Sequence, residues 1–548
     1  MKKTLKKLLA SAVLVLIGGW LNFYITLPSL NPRSEEFWSF LTFVLVLAFI
    51  PFIITDKSKT IKKGRGGNGT YVNIDFKSMN LTLVAIILVP IIVIILGNFF
   101  SSTLFNAKKY ASLIEVEEAV FSEDMPETND VTNIALMDTN SAIIIGNRAL
   151  GSLSEVVSQY ESSNVYSQIN YGGKPKKISS LEYADFFKWL GNRQNGVPGY
   201  IMVDPVYNTS EYKKLKNSIH YTESGYFDDD LMRKLRFSYP TKIFGTHSFE
   251  IDENGDPYYI VSCLTPRIGL FGALDVSEVI IFNPCDGTSE IYDVSETPSW
   301  IDIVYDGHLA TRKYNWQGML SRGYWNSVIG NVGCKQTTND FGYIVRGDDV
   351  WYFTGVTSIA ADESNIGFIL SNARTGEYKY YPVVGAEEYS AMTAAEGEVQ
   401  EKGYVASFPS LINVAGEATY IMVLKDSGGL VKLYALVNVE QYSIVATGET
   451  QSQVMANYKK LLRENGVSSN TNAEEERVSF VIEEIRIVEI NNEPLIYILG
   501  ESGIVCKGNL ATDEALVTLR EGEEVEFFVT DSLTDGILNI ESWARISE

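Results

Sequence analysis

Three histidines, His220, His247 and His308, are all the imidazole this chain contains. Nucleophilic catalysis of the Ser/His/Asp or Cys/His kind needs an imidazole beside its nucleophile. In "FGTHSFE" His247 adjoins Ser248, but neighbouring residues on a strand point to opposite faces, so the pair is not poised to react. Acidic groups are more plentiful. "DDD" at Asp228–Asp230 and "DENGD" at Asp252–Asp256 each offer oxygens to Ca²⁺, which takes six to eight. "DENGDPYY" lacks the alternating acids and closing Glu of a calcium loop, and its Asn-Gly is a hairpin signal. "ADESNIG" and "GAEEYSAM" hold Asp362, Glu363, Glu387 and Glu388. Two such carboxylates at the right separation would cleave a glycoside by acid–base catalysis. With 68 Asp and Glu in the chain, chance pairs are expected. A solvated loop and a helix N-terminus, where Glu suits the dipole, account for them without catalysis.

"GRGGNG", Gly64 to Gly69, lacks the preceding strand and the Gly-Lys-Ser/Thr ending of a phosphate loop. It reads as a flexible linker beside lipid headgroups. Cys263, Cys285, Cys334 and Cys506 make no disulfide framework. Cys263 and Cys285 fall on two strands of one repeat and are close enough in pattern to pair; isolated buried thiols are the other reading. No CxxC or His-rich cluster suggests a metal, and no cofactor is expected. The positive feature is aromatic density, from Trp300, Trp316 and Trp325 through Tyr352 to Tyr381. Tyr and Trp anchor interfaces and stack on sugars, although a β-rich core uses them too. Trp300, Trp316, Trp325 and Tyr352, with Asp362, Glu363, Glu387 and Glu388, form the candidate binding surface.

The elements that position these residues begin in a membrane. Leu8–Leu27, Phe37–Thr55 and Leu81–Ser102 are three uncharged apolar runs. A bilayer core of about 30 Å needs about 20 helical residues, so each can span. The first run is too long for a signal peptide and lacks a cleavage site. Lys2, Lys3, Lys6 and Lys7, with six more basic residues between Lys57 and Lys77, outweigh Arg33, Lys108 and Lys109. That asymmetry places the N-terminus and the 56–80 loop in the cytoplasm, and everything after about residue 103 outside the plasma membrane. Residues 1–101 carry a net charge of +7, which leaves −30 of the total −23 to the rest. An acidic outer part repels phosphate backbones and excludes nucleic acid as a partner.

The outer part divides into a helical and mixed segment at 103–198, a repeat region at 199–466, a linker at 467–477, whose polar "TNAEEER" begins at Thr471, and a last domain at 478–548. In "EYADFFKWLGNRQNG" the spacing puts Phe186, Phe187 and Leu190 on one helical face. Within the repeats an aromatic strand, a Gly-containing loop and a second strand recur three times, from "DPYYIVSC", "DVWYFTG" and "ATYIMVLKD". In "FNPCDGTSEIYDV" and "SNARTGEYKYYPV" Asn283 matches Asn372, and Gly287 matches Gly376. Such turns want a residue that accepts positive φ. A helix is expected after each hairpin, the first capped by Thr297 with Pro298 following. The third copy loses the Asn and Gly landmarks.

"DGTSEIYDV" and "TGEYKYYPV" resemble the PepSY module, an extracytoplasmic helix-and-sheet unit with a turn of this kind before an aromatic strand. Over about 250 residues, that resemblance implies a fold and a role in restraining peptidases or acting near the cell surface; it assigns no residue. "YPTKIFG", "DESNIGFIL", "GAEEYSAM" and "ASFPSLINV" are similar to segments of uncharacterised Gram-positive membrane-anchored surface proteins. Residues 478–548 contain five short strands, the pattern of a small OB-like barrel, and its glutamates oppose nucleic acid. The sequence therefore predicts an α+β protein with three N-terminal transmembrane helices, PepSY-like antiparallel-sheet-plus-helix repeats and a C-terminal OB-like β-barrel. Its expected role is a membrane-anchored binding or assembly protein of a bacterial envelope, a peptidase modulator or a complex subunit with an envelope protein partner. The alternative is a carboxylate hydrolase acting on cell-wall glycan.

Overall fold

The computed structural model describes residues 2–53, 59–63, 70–74, 81–128, 131, 134–151, 158–359, 361–467, 476–490, 493–500, 503–510, 513–529 and 537–546. Three helices are long and apolar enough to cross a membrane: Thr4–Thr26, Glu35–Phe52 and Thr82–Ser101. Their apolar side chains point outward all round, Leu16 at 71% and Ile95 at 61% exposure, as a lipid-facing helix requires. Ser29 N donates to Glu36 Oε2 at 2.7 Å, and Asn98 Nδ2 to Glu35 Oε1 at 3.1 Å. The end of the first span, the start of the second and the end of the third therefore share one side. Of the loop between spans two and three, Lys59–Lys63 and Thr70–Ile74 pair as antiparallel strands; Gly64–Gly69 lies outside the described residues.

Beyond the spans the chain forms two compact units, Met1–Glu117 with Thr139–Asp362 and Ile369–Lys379, and Glu118–Asp138 with Glu363–Phe368 and Tyr380–Glu548. One plan recurs in four antiparallel sheets. The first runs from Tyr160–Ser162 and Ser167–Tyr171 through Lys174–Tyr183 and Val197–Asp204 to Thr209–Ile219. The second orders Ile243–Ile251, Pro257–Ile268, Gly272–Phe282 and Ser289–Asp293. The third takes Lys335–Thr337 and Gly342–Arg346, then Asp349–Ser358, Ala361–Asn372 and Tyr378–Tyr381. In the fourth, Val405–Ala406 and Ser410–Val414 precede Glu417–Lys425, Val431–Asn438 and Val445–Gly448.

Each sheet turns at the same polar residue. Asp204 Oδ1 accepts Val206 N and Tyr207 N, and Asn283 Oδ1 accepts Cys285 N at 2.9 Å. Asn372 Oδ1 accepts Arg374 N and Thr375 N, and Asn438 Oδ1 accepts Gln441 N at 2.7 Å. A short Asn or Asp side chain satisfies the turn's amides locally, which is why it ends the strand. Asn438 shows that the fourth sheet keeps a landmark expected to be lost. The residue after each of three of them accepts from the chain that leads to the next element: His220 N and Tyr221 N bond Pro284 O, Val304 N and Tyr305 N bond Ala373 O, and Ala386 N bonds Val439 O.

Two other expectations are corrected. No helix starts at Thr297; a single 3₁₀ turn at Val294–Glu296 precedes a turn closed by Ile301 N on Pro298 O and irregular chain, and the helix is Gly307–Leu320, capped by Asp306. The amides of Asp302 and Ile303 go to Glu250 and those of Val304 and Tyr305 to Ala373, so none is left for a helical ladder. A domain boundary at 198 would cut the strand Val197–Asp204, which pairs on both sides. The later helices form where expected, Glu388–Glu398 and Gln451–Glu464. Val454, Met455, Tyr458 and Leu462 of the last pack on Ile421, Leu436 and Ala446 of the fourth sheet.

In the C-terminal region Glu476–Ile490 pairs with both Glu493–Gly500 and Glu524–Val529, Val505–Asn509 runs parallel to Ile537–Arg545, and the five strands close on themselves. Val478, Phe480 and Ile482, then Val525, Phe527 and Val529, alternate inward to fill it. Most of the linker expected at 467–477 lies outside the described residues.

Candidate functional site around Asp302 and Arg312

The segment joining the second sheet to the helix Gly307–Leu320 carries the chemistry. Asp306 Oδ1 accepts His308 N and Leu309 N at 2.9 and 3.1 Å, closing the helix N-terminus. Its Oδ2 accepts Thr246 Oγ1 at 3.2 Å, tying the helix to the second sheet. A Cβ at Gly307 would lie 2.3 Å from the Phe341 ring, so any larger residue must displace that ring. A cleft of about 540 Å³ opens here, with Leu264, Leu274, Val276 and Leu309 as apolar floor and Asp306, His308 and Arg312 around it. An apolar floor with a few convergent polar groups is the ordinary form of a ligand site.

Two carboxylates are buried together where the second sheet holds the segment that leads to this helix. Glu250 is fully buried and Asp302 is 4% exposed. Glu250 accepts from Ser248 Oγ (2.6 Å), Asp302 N (2.8 Å) and Ile303 N (3.1 Å); Asp302 Oδ2 accepts Asn170 N at 2.8 Å. Loss of water pushes the Glu250 carboxyl up, against the pull of its three donors. Burial, then the charge of Glu250, raises Asp302. The pair therefore keeps a proton near neutrality. Arg374 opposes that rise in Asp302 while it holds Asp349 through Nε at 2.7 Å, and Asn372 Nδ2 holds the other Asp349 oxygen at 2.8 Å. Sealed from solvent, Glu250 and Asp302 cannot meet a polymer substrate; they organise the segment that builds the cleft.

The sequence-predicted residues separate into different roles. Tyr352 is buried, Trp316 stands edge-on to Tyr110 at 4.9 Å, and Trp300 tilts over Tyr258 at 5.1 Å. These three rings pack the fold. Trp325 alone among the tryptophans of the predicted surface is strongly exposed, at 67%. Glu387 caps its helix by accepting Ser390 N at 2.9 Å, and Glu388 is fully buried. Asp362 and Glu363 begin the strand Ala361–Asn372, and their side chains lie outside the described residues.

The other acidic motifs are structural. Asp252 Oδ1 accepts Asn254 N and Asp256 N in a hairpin turn. Asp230 caps the helix Leu231–Ser238, and Asp229 accepts Trp189 Nε1 at 3.0 Å. His247 and Ser248 do point apart: the imidazole meets Glu223 at 2.8 Å, whereas the hydroxyl goes to Glu250. Cys263 and Cys285 are free thiols, as are Cys334 and Cys506. The sequence pattern carries no sign of Glu250. Ser248 through Ile251 are all buried, so no alternation marks an inward carboxylate there.

No family model and no curated protein matches the chain. Among solved structures, an endo-arabinase from Bacteroides thetaiotaomicron VPI-5482 covers 50% of this chain and 74% of its own at 9% identity, with a TM-score of 0.15. A likeness at that level carries no argument about fold or activity.

Proposed function

We propose that this chain is a membrane-anchored extracytoplasmic protein of a bacterial envelope, which binds or assembles with another envelope protein as a peptidase modulator or complex subunit. The turn after the helix Gly307–Leu320 carries that reading. Trp325, Val328, Ile329 and Val332 are 67%, 54%, 75% and 59% exposed. Asn326 braces them there, its side chain bonding both the N–H and the C=O of Val332 at 3.2 and 3.1 Å. Exposed apolar side chains on a braced turn suit a protein partner, with Trp325 as anchor.

The tandem sheets, each with the same Asx-type turn, support a PepSY-like repeat. The barrel's strand order, first-second-third-fifth-fourth with a parallel third–fifth pair, supports an OB-like reading. Its Glu521, Glu523, Glu524 and Glu526 favour docking to protein over nucleic acid. The excess of Lys and Arg at the N-terminus and in the 56–80 loop supports a cytoplasmic N-terminus and an outer ectodomain. The hydrolase alternative is weakened by Glu387 and Glu388, one spent on a helix cap and the other sealed.

The test is in-cell photocrosslinking from Trp325 of the full chain, beside a wall-glycan release assay. One defined envelope protein captured from Trp325, lost on Ile329→Glu, supports the assignment. Glycan release that disappears in Asp362→Asn or Glu387→Gln would replace it with the hydrolase.

A further inference from the structure

The helix Phe186–Asn192 buries Trp189 and leaves Phe187 and Leu190, three positions apart on one face, 77% and 52% exposed. Beside it Phe227 is 55% exposed, and Phe237, on the next helix Leu231–Ser238, is 49% exposed. The patch is continuous: Phe186 meets Tyr226 edge-on at 5.0 Å, and Trp189 meets Phe227 at 5.8 Å. It is also joined to the first membrane span. Arg233 donates from one guanidinium nitrogen to Phe227 O at 2.6 Å and from another to Tyr24 O at 3.3 Å, and it lies over the Tyr24 ring at 4.3 Å. Phe237 meets Phe23 edge-on at 5.4 Å, and Arg236 Nε donates to Leu27 O at 2.8 Å.

We infer that Phe187, Leu190, Phe227 and Phe237 lie in the headgroup and upper acyl region of the bilayer, so that this unit rests on the membrane as well as being tethered to it. The occupant is lipid because the patch continues the surface of a spanning helix. Phe23 and Tyr24 stand in the last turn of that helix, and one arginine links Tyr24 to Phe227. Phe and Leu are the side chains that an interfacial element buries at that depth, and Tyr24 beside them suits the headgroup boundary. Arg233 suits it too, its carbon chain lying on aromatic surface and its charge near the headgroups. A water-facing patch of this kind would expose several large apolar side chains side by side with nothing gained.

The inference rests on the reading that the three helices span, so its test includes a probe of that reading. The full chain, with Cys285→Ser, is reconstituted into vesicles of phosphatidylcholine and phosphatidylglycerol. A nitrobenzoxadiazole label is placed at Phe187→Cys, and in separate samples at Leu190→Cys, Val89→Cys within span three, and Glu253→Cys on an exposed turn. Doxyl-labelled lipid and aqueous iodide are the two quenchers. Labels at 187 and 190 should be quenched by shallow doxyl lipid several-fold more than the label at 253, and should be protected from iodide. Iodide quenching at 187 and 190 like that at 253, with Val89 still quenched by doxyl lipid, overturns the inference alone. Silence to both quenchers means that a second copy of this chain covers the patch and overturns it as well. Failure at Val89 overturns both the inference and the spanning reading.

Discussion

Gly287 and Gly376 close the same turn in two different sheets, and each lies under a tyrosine ring. Their φ angles are +76° and +73°. Gly287 N donates to Asn283 O at 2.9 Å, and Gly376 N to Asn372 O at 3.0 Å. A Cβ at Gly287 would meet the Tyr221 ring at 2.6 Å, and one at Gly376 the Tyr305 ring at 2.9 Å. Tyr221 and Tyr305 are in turn held by the carbonyls of Pro284 and Ala373 in those turns. The glycine is required twice over, by its dihedral and by the ring above it.

Gly287→Ala and Gly376→Ala should therefore each destabilise the fold by about 1–3 kcal/mol, the range for a strained non-glycine backbone. Thermal unfolding of the full chain in detergent measures this. Equal melting temperatures for wild type and both variants would refute the shared-turn account.

How much of this was legible follows from what each signal depends on. The turns were readable because a positive φ leaves a glycine in the sequence and an Asx turn leaves Asn or Asp. The fourth sheet's Asn438 was missed because its turn lacks the glycine that marks the other two. Three long apolar helices were readable from length and hydropathy alone, to within a few residues at each end. The helix expected at Thr297 failed for a tertiary reason: Glu250, far away in sequence, takes the amides that the helix would need. The aromatic residues were assigned to one surface because composition cannot separate a ring that packs, such as Tyr352, from one that projects, such as Trp325.

The Glu250–Asp302 pair makes stability depend on pH in a defined direction. Both carboxyls are raised in the folded chain, so the folded state holds protons that the unfolded state has released above its ordinary carboxylate pKa near 4. That proton difference lowers stability as pH rises from about 4 into the neutral range, and the penalty is complete once both folded groups ionise. Glu250→Gln removes one titrating group and the charge that raises Asp302. Its stability should change less with pH by about 1.4 kcal/mol per pH unit, the slope of one proton. Chemical denaturation at pH 5, 6.5 and 8 reads the slope directly; parallel curves for variant and wild type would contradict the buried pair.

The third long apolar helix meets the second sheet through Ser101. Its Oγ accepts Leu270 N at 3.0 Å and Phe271 N at 3.3 Å, at the tip of the hairpin formed by Pro257–Ile268 and Gly272–Phe282. A Cβ on Gly97, one helical turn earlier, would lie 2.3 Å from the Phe271 ring. Ser101→Ala leaves two amides without their acceptor and should cost about 1–3 kcal/mol locally. Hydrogen exchange at Leu270 and Phe271 should speed up while the fourth sheet is unaffected. Unchanged exchange at the hairpin tip would show that the tip is held by something other than Ser101.

The proposed orientation has a direct chemical check. With ten basic residues on one side of the spans and three on the other, Asn208 belongs outside and Gly67 inside. An impermeant maleimide added to whole cells should label Asn208→Cys and spare Gly67→Cys, and permeabilisation should open the second site. Charge bias fixes orientation during insertion, before the ectodomain folds, so it is independent of every contact described above. Labelling of Gly67→Cys from outside would invert the molecule. The Trp325 turn would then face the cytoplasm, where an envelope partner could not reach it.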